Sequence, residues 1–561
     1  MKFLPLLVPC ALLMLTACDT EQTKIAEKNT ETENIAVDTG PDFDLVSTPV
    51  GSVSFTTGCH ADASELVERG VALMHHMMYD EARMVFSMAN DTDSGCAMAY
   101  WGEAMTYVNP LWPGAASPEL MARGLSLIEK AKSIGGHNER EQLYIQTGAN
   151  YFVDGITKTE KERLKRTEMA WKILHETYPE DLDAKAYYAL FMIATSDIAD
   201  PDLVGQRKAA DLAFEVLAEN PDHPGAHHYV IHAYDNPVLA GDALETADNY
   251  GAMTPRVPHA THMMTHTYTR LGLWDKAIEW NSISAETALA ICIETGEVNL
   301  HYTHALDYLA YAYLQKGDDA SVIRVLGDAD ELKPPYSELN RAASAYAFSA
   351  LPARYALERR DWQAASEIAP RMPVSFPWEK AHDQYVAISH FAKALGLSHM
   401  GKFEEAEVEI ERLHDMHEEL LETSPYWAGQ VEIQEVAARG WQVYLSGDHD
   451  YGLSIMQRAA DLEAATEKHA VTPGEVLPAA ELYGDMLLAS EKYEEALNAY
   501  KIALNRSPGR YNSLHGAATA AMGMGDSDLA EQYLAELRRN TENVEGGRKV
   551  ASDVNMLLAG L

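Results

Sequence analysis

Pro224-Gly225-Ala226-His227-His228-Tyr229-Val230-Ile231-His232 is followed, 34 residues on, by Pro258-His259-Ala260-Thr261-His262-Met263-Met264-Thr265-His266. His228 and His262 are one such step apart, as are His232 and His266, and each pair is spaced i, i+4. A period of 34 residues is the length of a two-helix unit that cannot bury its apolar face alone and stacks on its neighbours. Four residues is about one helical turn, so each pair shares a helix face. The spacing therefore predicts four imidazoles as a grid on one wall of an all-α solenoid. It points to metal or ligand binding more clearly than to any named reaction.

Outward from this segment, the chain reads as amphipathic helix almost throughout. Ala, Leu and Tyr recur at i, i+3, i+4 and i+7, with Gly, Pro and Asp between segments. The punctuation is that of tetratricopeptide repeats: Gly70-Tyr79-Ala82-Phe86-Ala89 near the start, and Gly484-Tyr493-Ala496-Tyr500-Ala503-Pro508 near the end. Small residues are needed where the two helices of a unit cross, and large ones fill the gaps between them. The spacing drifts between about residues 287 and 395, which leaves open longer helices or a break between two arrays. The expected division is an N-terminal array over 46–290, an irregular helical region over 291–395 and a C-terminal array over 396–561. A short strand is expected near Val46–Phe55. Roughly a dozen helix pairs suit the length.

Gly58-Cys59-His60, Cys96-Ala97-Met98-Ala99-Tyr100-Trp101-Gly102, the two histidine segments and Leu271-Gly272-Leu273-Trp274-Asp275 resemble a bacterial family of exported tetratricopeptide-repeat proteins without an assigned reaction. Members commonly carry Pro and Ser where this chain has Met264 and Thr265. The resemblance covers the N-terminal half; it implies the fold and says little of function. With Gly272 as the usual glycine at repeat position 15, Pro258 is position 1, and His259, His262 and His266 fall at 2, 5 and 9. In similar proteins those positions line the concave groove that holds peptides. Started at Pro224, the preceding repeat places His228 and His232 at 5 and 9. Gly317, used the same way, puts His304, Asp307 and Tyr311 at 2, 5 and 9 of a third repeat that begins 45 residues after the second.

Packed helices lie ~8–10 Å apart, so His228, His232, His262 and His266 could converge on one ion, as paired imidazoles do in helical zinc sites. His259, His304 and Asp307 could add a ligand or orient a ring. Zinc suits an imidazole-rich site. Copper suits imidazoles with nearby thioethers in an exported protein, and Met263, Met264, Met74, Met77 and Met78 are at hand. The methionines around His75-His76 read as core, His223 and His227 as surface or cap residues, and Trp112 as an exposed loop aromatic.

The N-terminus reads as a lipoprotein signal over 1–17. Lys2 precedes an apolar stretch from Phe3 to Leu15, and Leu15-Thr16-Ala17-Cys18 resembles a lipobox. By resemblance to bacterial lipoproteins, Cys18 becomes the lipidated first residue; a plain secretory signal is the alternative. Residues 18–45 are polar and acidic, a tether rather than a fold. The expected place is a bacterial cell envelope, with acyl chains in a membrane and the body in an aqueous compartment. There, Cys59 and Cys96 could form a disulfide around the first repeat, leaving Cys292. A net charge of −41 argues against nucleic acid.

No phosphate loop, HExxH, CxxC or GxSxG is present. His414 and His417 read as a solvated helix face. Three functions fit: a membrane-anchored scaffold whose histidine-lined groove binds a metal ion, a metal-free scaffold for a protein or peptide partner, and a metal-dependent enzyme using the same histidines.

Overall fold

The computed structural model describes residues 43–112, 116–197, 200–338, 341–544 and 547–548. The expected signal, Cys18 and most of the tether lie outside them. Within them the chain forms 24 α-helices, from Ala61–His75 to Ser527–Thr541, and none is long and apolar enough to cross a membrane. Consecutive helices pack on one another along the whole sequence, giving an all-α solenoid of helical hairpins.

The small residues of the repeat punctuation act where helices cross. The Phe86 ring is wedged between Gly70 and Gly102; a Cβ at those glycines would sit 2.6 and 2.2 Å from it. Tyr500 fills the matching gap between Gly484 and Gly516, at 2.8 and 2.2 Å. Burying a Phe side chain contributes about 1.5–3 kcal/mol, and overfilling such a gap costs about 1–3. The Cys59–Cys96 disulfide, with Cα atoms 4.9 Å apart, closes the first hairpin.

The row of helices turns back on itself. The Ala61–His75 helix packs against Pro224–Ala233, and Leu300–Gln315 against Tyr511–Gly523. Gly272, at φ 67°, lies so near Pro508 that a Cβ would be 2.7 Å from its carbonyl oxygen, and the Trp274 indole N–H donates to the Gly509 carbonyl at 3.1 Å.

One expectation changes here, and one open alternative narrows. No strand forms at Val46–Phe55: its backbone reaches Asp222 and Glu68 rather than a partner strand, and an isolated Val298–Tyr336 bridge is the sole β pairing among the described residues. The stretch 291–395 is not a gap in the packing. It carries Leu300–Gln315, Asp319–Asp330, Arg341–Glu358, Trp362–Ser366 and Asp383–His399, packed continuously onto the helices before and after it. The drift in spacing comes from unequal helices, 22 residues in Trp274–Thr295 but 5 in Trp362–Ser366.

The wall made by the first helices of the repeats is not an open groove. The connection over 465–478, between the His449–Ala464 and Ala479–Ala489 helices, runs across it. Lys468 reaches Asp235 at 2.7 Å, Tyr308 donates to the Thr472 carbonyl at 3.1 Å, and Arg354 donates to Thr472 Oγ1 at 2.7 Å and the Gly474 carbonyl at 2.9 Å. The groove expected to receive a peptide is filled by the chain's own backbone.

Candidate metal centre

Three helices build the site. Pro224–Ala233 and Pro258–Arg270 each begin with proline, whose missing N–H costs nothing in a first turn, and Leu300–Gln315 is capped by Asn299. These starts set the register. Positions 2, 5 and 9 are Gly225, His228 and His232 in the first helix, and His259, His262 and His266 in the second. In the third they are His301, His304 and Tyr308.

The histidines gather as two triads rather than around one point. His228, His232 and His259 can bring one ring nitrogen each within 4.8 Å of one another, and so can His262, His266 and His304. The triads adjoin: ring centroids are 5.5 Å apart for His232–His266 and 5.8 Å for His259–His262. Each thus takes positions 5 and 9 of one repeat and completes itself from the next. Five of the rings are buried, and His232 retains partial exposure.

Asp307, which the sequence placed in this site, belongs to neither triad. Its carboxylate pairs with the Arg354 Nε at 3.0 Å. It lies one residue off the face that presents His304 and Tyr308, because the third helix runs about a turn further before Gly317.

The outward sides of three of the six rings are pinned. His228 Nδ1–H donates to the His75 carbonyl at 2.6 Å and His266 Nδ1–H to Asp235 Oδ2 at 2.8 Å, and His262 Nδ1 meets Asn281 Oδ1 at 2.8 Å. The His75 carbonyl and the Asp235 carboxylate only accept, which puts the protons of His228 and His266 on Nδ1 and leaves their Nε2 lone pairs inward. His262 Nε2 and His266 Nε2 then face each other at 3.1 Å. With the His262 proton on Nε2 and the Asn281 amide turned to match, this contact is a hydrogen bond; with the proton on Nδ1, its length suits two donors bound to one ion at about 2.0–2.1 Å. In the other triad, His228 Nε2, His232 Nε2 and both ring nitrogens of His259 are buried without a hydrogen-bond partner. An unsatisfied buried polar atom costs about 1–3 kcal/mol, so four together need an explanation.

Burial pushes the affinity of all six rings for a proton down, furthest below the ordinary histidine value for His228, His232, His259, His262 and His304, with neighbouring imidazoles adding to the effect. For His266 burial also dominates, opposed by Asp235. Neutral rings are what a metal requires. Asp235 stays ionised despite burial because Lys468, Arg270 and His266 surround it.

The cavity between the triads is lined by Met77, Leu111, Trp112, His232, His259, His266, His304, Ala470 and Val471, and its free space is about 10 Å³. That is scarcely a single water site: it excludes an organic ligand. Met77 reaches the wall from a left-handed backbone at φ 56°, a conformation unusual for a bulky residue. Met263 and Met264 do not line it. Trp112, expected exposed, is buried with its ring 5.2 Å from those of His259 and His304. Sequence reasoning missed His301, whose ring is 5.2 Å from His259, and the partners Asn281, Asp235 and Tyr308. Only His301 carried a signal, its place at position 2.

A third group, His75, Asp183 and His223, also brings its ligand atoms within 4.8 Å of one another, yet most of its polar atoms are already partnered. His223 Nδ1 accepts from the Ala226 N–H at 3.2 Å, so its Nε2 carries the proton that faces Asp183 Oδ1 at 3.3 Å. His75 Nε2–H donates to the same oxygen at 3.0 Å, and its Nδ1 accepts from Tyr229 at 2.9 Å. His223 Nε2 meets Asp183 as an ion-pair contact without an aligned hydrogen bond. His223 is a helix cap, as expected, but a buried one. His227 is buried as well, its nitrogens facing the Thr246 and Pro221 carbonyls at 3.3 and 2.8 Å. His414 remains on a solvated face.

No family model matches the chain, and no curated protein is similar in sequence. Among solved structures, a human IFIT1 dimer with PPP-AAAA is similar at a TM-score of 0.35 and 12% identity, over 86% of this chain and 92% of that one. The APC/C hetero-tetramer Cut9–Hcn1 gives a TM-score of 0.26 and 11% identity, over 87% and 95%. Values this low identify neither a family nor a ligand.

Proposed function

We propose that this chain is a helical-repeat protein that carries a pair of transition-metal ions in its interior, one in each histidine triad. The observation that carries this reading is the set of four buried, unpartnered ring nitrogens of His228, His232 and His259, beside the 3.1 Å approach of His262 Nε2 and His266 Nε2. The donor set is neutral imidazole throughout, which suits copper or zinc, and copper stands first in the affinity order of divalent ions. Met77 at the cavity wall supports copper. Three imidazoles per ion leave a coordination position open, so chemistry at the pair is feasible; the residues specify no reaction. We further propose that Cys18 tethers the protein to a bacterial envelope membrane, and that its acidic surface keeps nucleic acid away.

The test is elemental analysis of protein purified without a histidine tag after loading with copper or zinc. Two equivalents are expected for the native chain and at most one for His262→Ala. Less than a tenth of an equivalent in the native chain, under both metals, would remove the proposal.

A further inference from the structure

The 465–478 connection divides the inner wall into two chambers. On the histidine side it contributes Ala470 and Val471. Its other side, with Lys468, His469, Thr472 and Gly474, closes a second cavity built from the next first helices. The Pro425–Leu445 helix presents Tyr426, Trp427, Gln430, Ile433, Gln434 and Ala437 to that cavity, a spacing that is one helix face. Asp383–His399 adds Gln384, Ile388 and Phe391 at intervals of four and three. Tyr346 closes one side and Glu463 another. Free space is about 50 Å³ against about 10 Å³ for the histidine cavity, so a small organic molecule fits here and not there.

We infer that this chamber is a binding site for a small hydroxylated ring, either phenolic or saccharide. Its walls are aromatic: Trp427 stacks on His469 at 5.3 Å and stands edge-on to Tyr426 at 5.1 Å, with Tyr346 6.3 Å away. Such walls take the flat face of a ring. The polar lining offers one open acceptor. Gln434 Oε1 is buried with no hydrogen-bond partner, whereas the Glu463 oxygens already accept from the Ala479 N–H. A ligand that satisfies Gln434 Oε1 must donate, which ring hydroxyls do and an ether or hydrocarbon does not. This arrangement of a mostly apolar pocket with a few convergent polar groups is the usual form of a small-molecule site.

The chamber also adjoins the metal centre. Lys468, in its lining, donates to Asp235 at 2.7 Å, and Asp235 accepts from His266 at 2.8 Å. The binding inference stands without the metal reading, and its test separates the two.

Titration calorimetry on the full chain, with Trp427 fluorescence alongside, uses catechol in one arm and cellobiose in the other. Each is repeated on metal-free His262→Ala. Saturable binding of either probe below 1 mM (an order-of-magnitude threshold for a site of this kind), weakened at least about fivefold by Gln434→Leu and retained in metal-free His262→Ala, supports the inference and identifies the ring. Gln434→Leu lies at the chamber wall, and its fold is checked by circular dichroism; Trp427→Leu serves as a second variant. Absence of saturable binding by both probes up to about 10 mM, or binding indifferent to both variants, overturns it.

Discussion

Two groups of buried histidines lie side by side in this molecule, and they differ in one respect. In the His75–Asp183–His223 cluster the carboxylate faces both rings and His75 is bonded at both nitrogens, leaving His223 Nε2 alone without an aligned hydrogen bond. In the triads the outward nitrogens of His228, His262 and His266 are held, while four ring nitrogens of His228, His232 and His259 have no partner. Burial and residue type are the same, so neither decides function. Proton accounting does: a structural cluster closes its hydrogen bonds, and a binding site leaves them open toward a common point. The two are also connected, since the His75 carbonyl is the acceptor that holds His228.

The sharpest way to break this comparison is to remove metal. Anything bound only by the folded state stabilises it by RT ln(1 + [L]/Kd), about 4 kcal/mol per ion at a thousandfold excess over Kd. Chelation should therefore lower the thermal midpoint of the native chain and leave that of the His262→Ala/His228→Ala double variant unmoved. Equal midpoints for native protein with and without chelator would put the triads in the same class as the closed cluster.

Next in size is Asp183→Ala. It strips the shared acceptor from two buried imidazoles, and breaking a buried pair from one side costs about 3–5 kcal/mol. Urea unfolding should show that loss, while the metal content of the folded fraction stays at two equivalents. If metal is lost and stability kept, the cluster is itself a ligand set.

Acid should separate the groups as well. Burial holds His75 down to about 4 against the pull of Asp183, and His301 and His469 are also pushed down to about 4 by burial. A histidine held neutral by folding contributes stability that is complete above its unfolded value near 6.5 and is lost as pH falls through its folded value. Each costs about 1.4 kcal/mol per pH unit over that window. The metal-free chain should thus lose urea resistance steadily between pH 6.5 and 4. A midpoint flat over that range would mean that folding does not hold these rings neutral.

Much of this was legible in the sequence, and the exceptions have physical causes. The step of 34 residues placed His228, His232, His262 and His266 correctly on facing helices because the prolines that open both helices fix their phase. The third helix was misplaced by one turn. Gly317 marks where that helix ends, whereas the packed face is set by where it begins, at Asn299 and Leu300. The true offset carries His259, His262 and His266 onto His301, His304 and Tyr308, and Asp307 turns away to Arg354. A single ion was expected because a grid read along one pair of helices has four corners; the third helix turns it into two triads. The 465–478 connection left no signal, since nothing in a periodic pattern says where an aperiodic segment folds back.

The smallest expected effect probes how far the contrast extends beyond the rings. Asp235 touches no lone pair of either triad, yet it accepts from His266 Nδ1 while Arg270 and Lys468 donate to it at 2.8 and 2.7 Å. Partners of this kind raise ligand basicity, and losing one typically weakens metal affinity about 10–100-fold, some 1.4–2.7 kcal/mol. Asp235→Asn keeps the shape and an acceptor oxygen but removes the charge. Competition against a chromophoric chelator should show one of the two ions weakened by that factor and the other unchanged, because only the His262–His266–His304 triad contains a ring bonded to Asp235. Equal weakening of both ions would mean that the triads act as one centre; no weakening of either would mean that Asp235 serves only to bind Lys468 and the connection it carries.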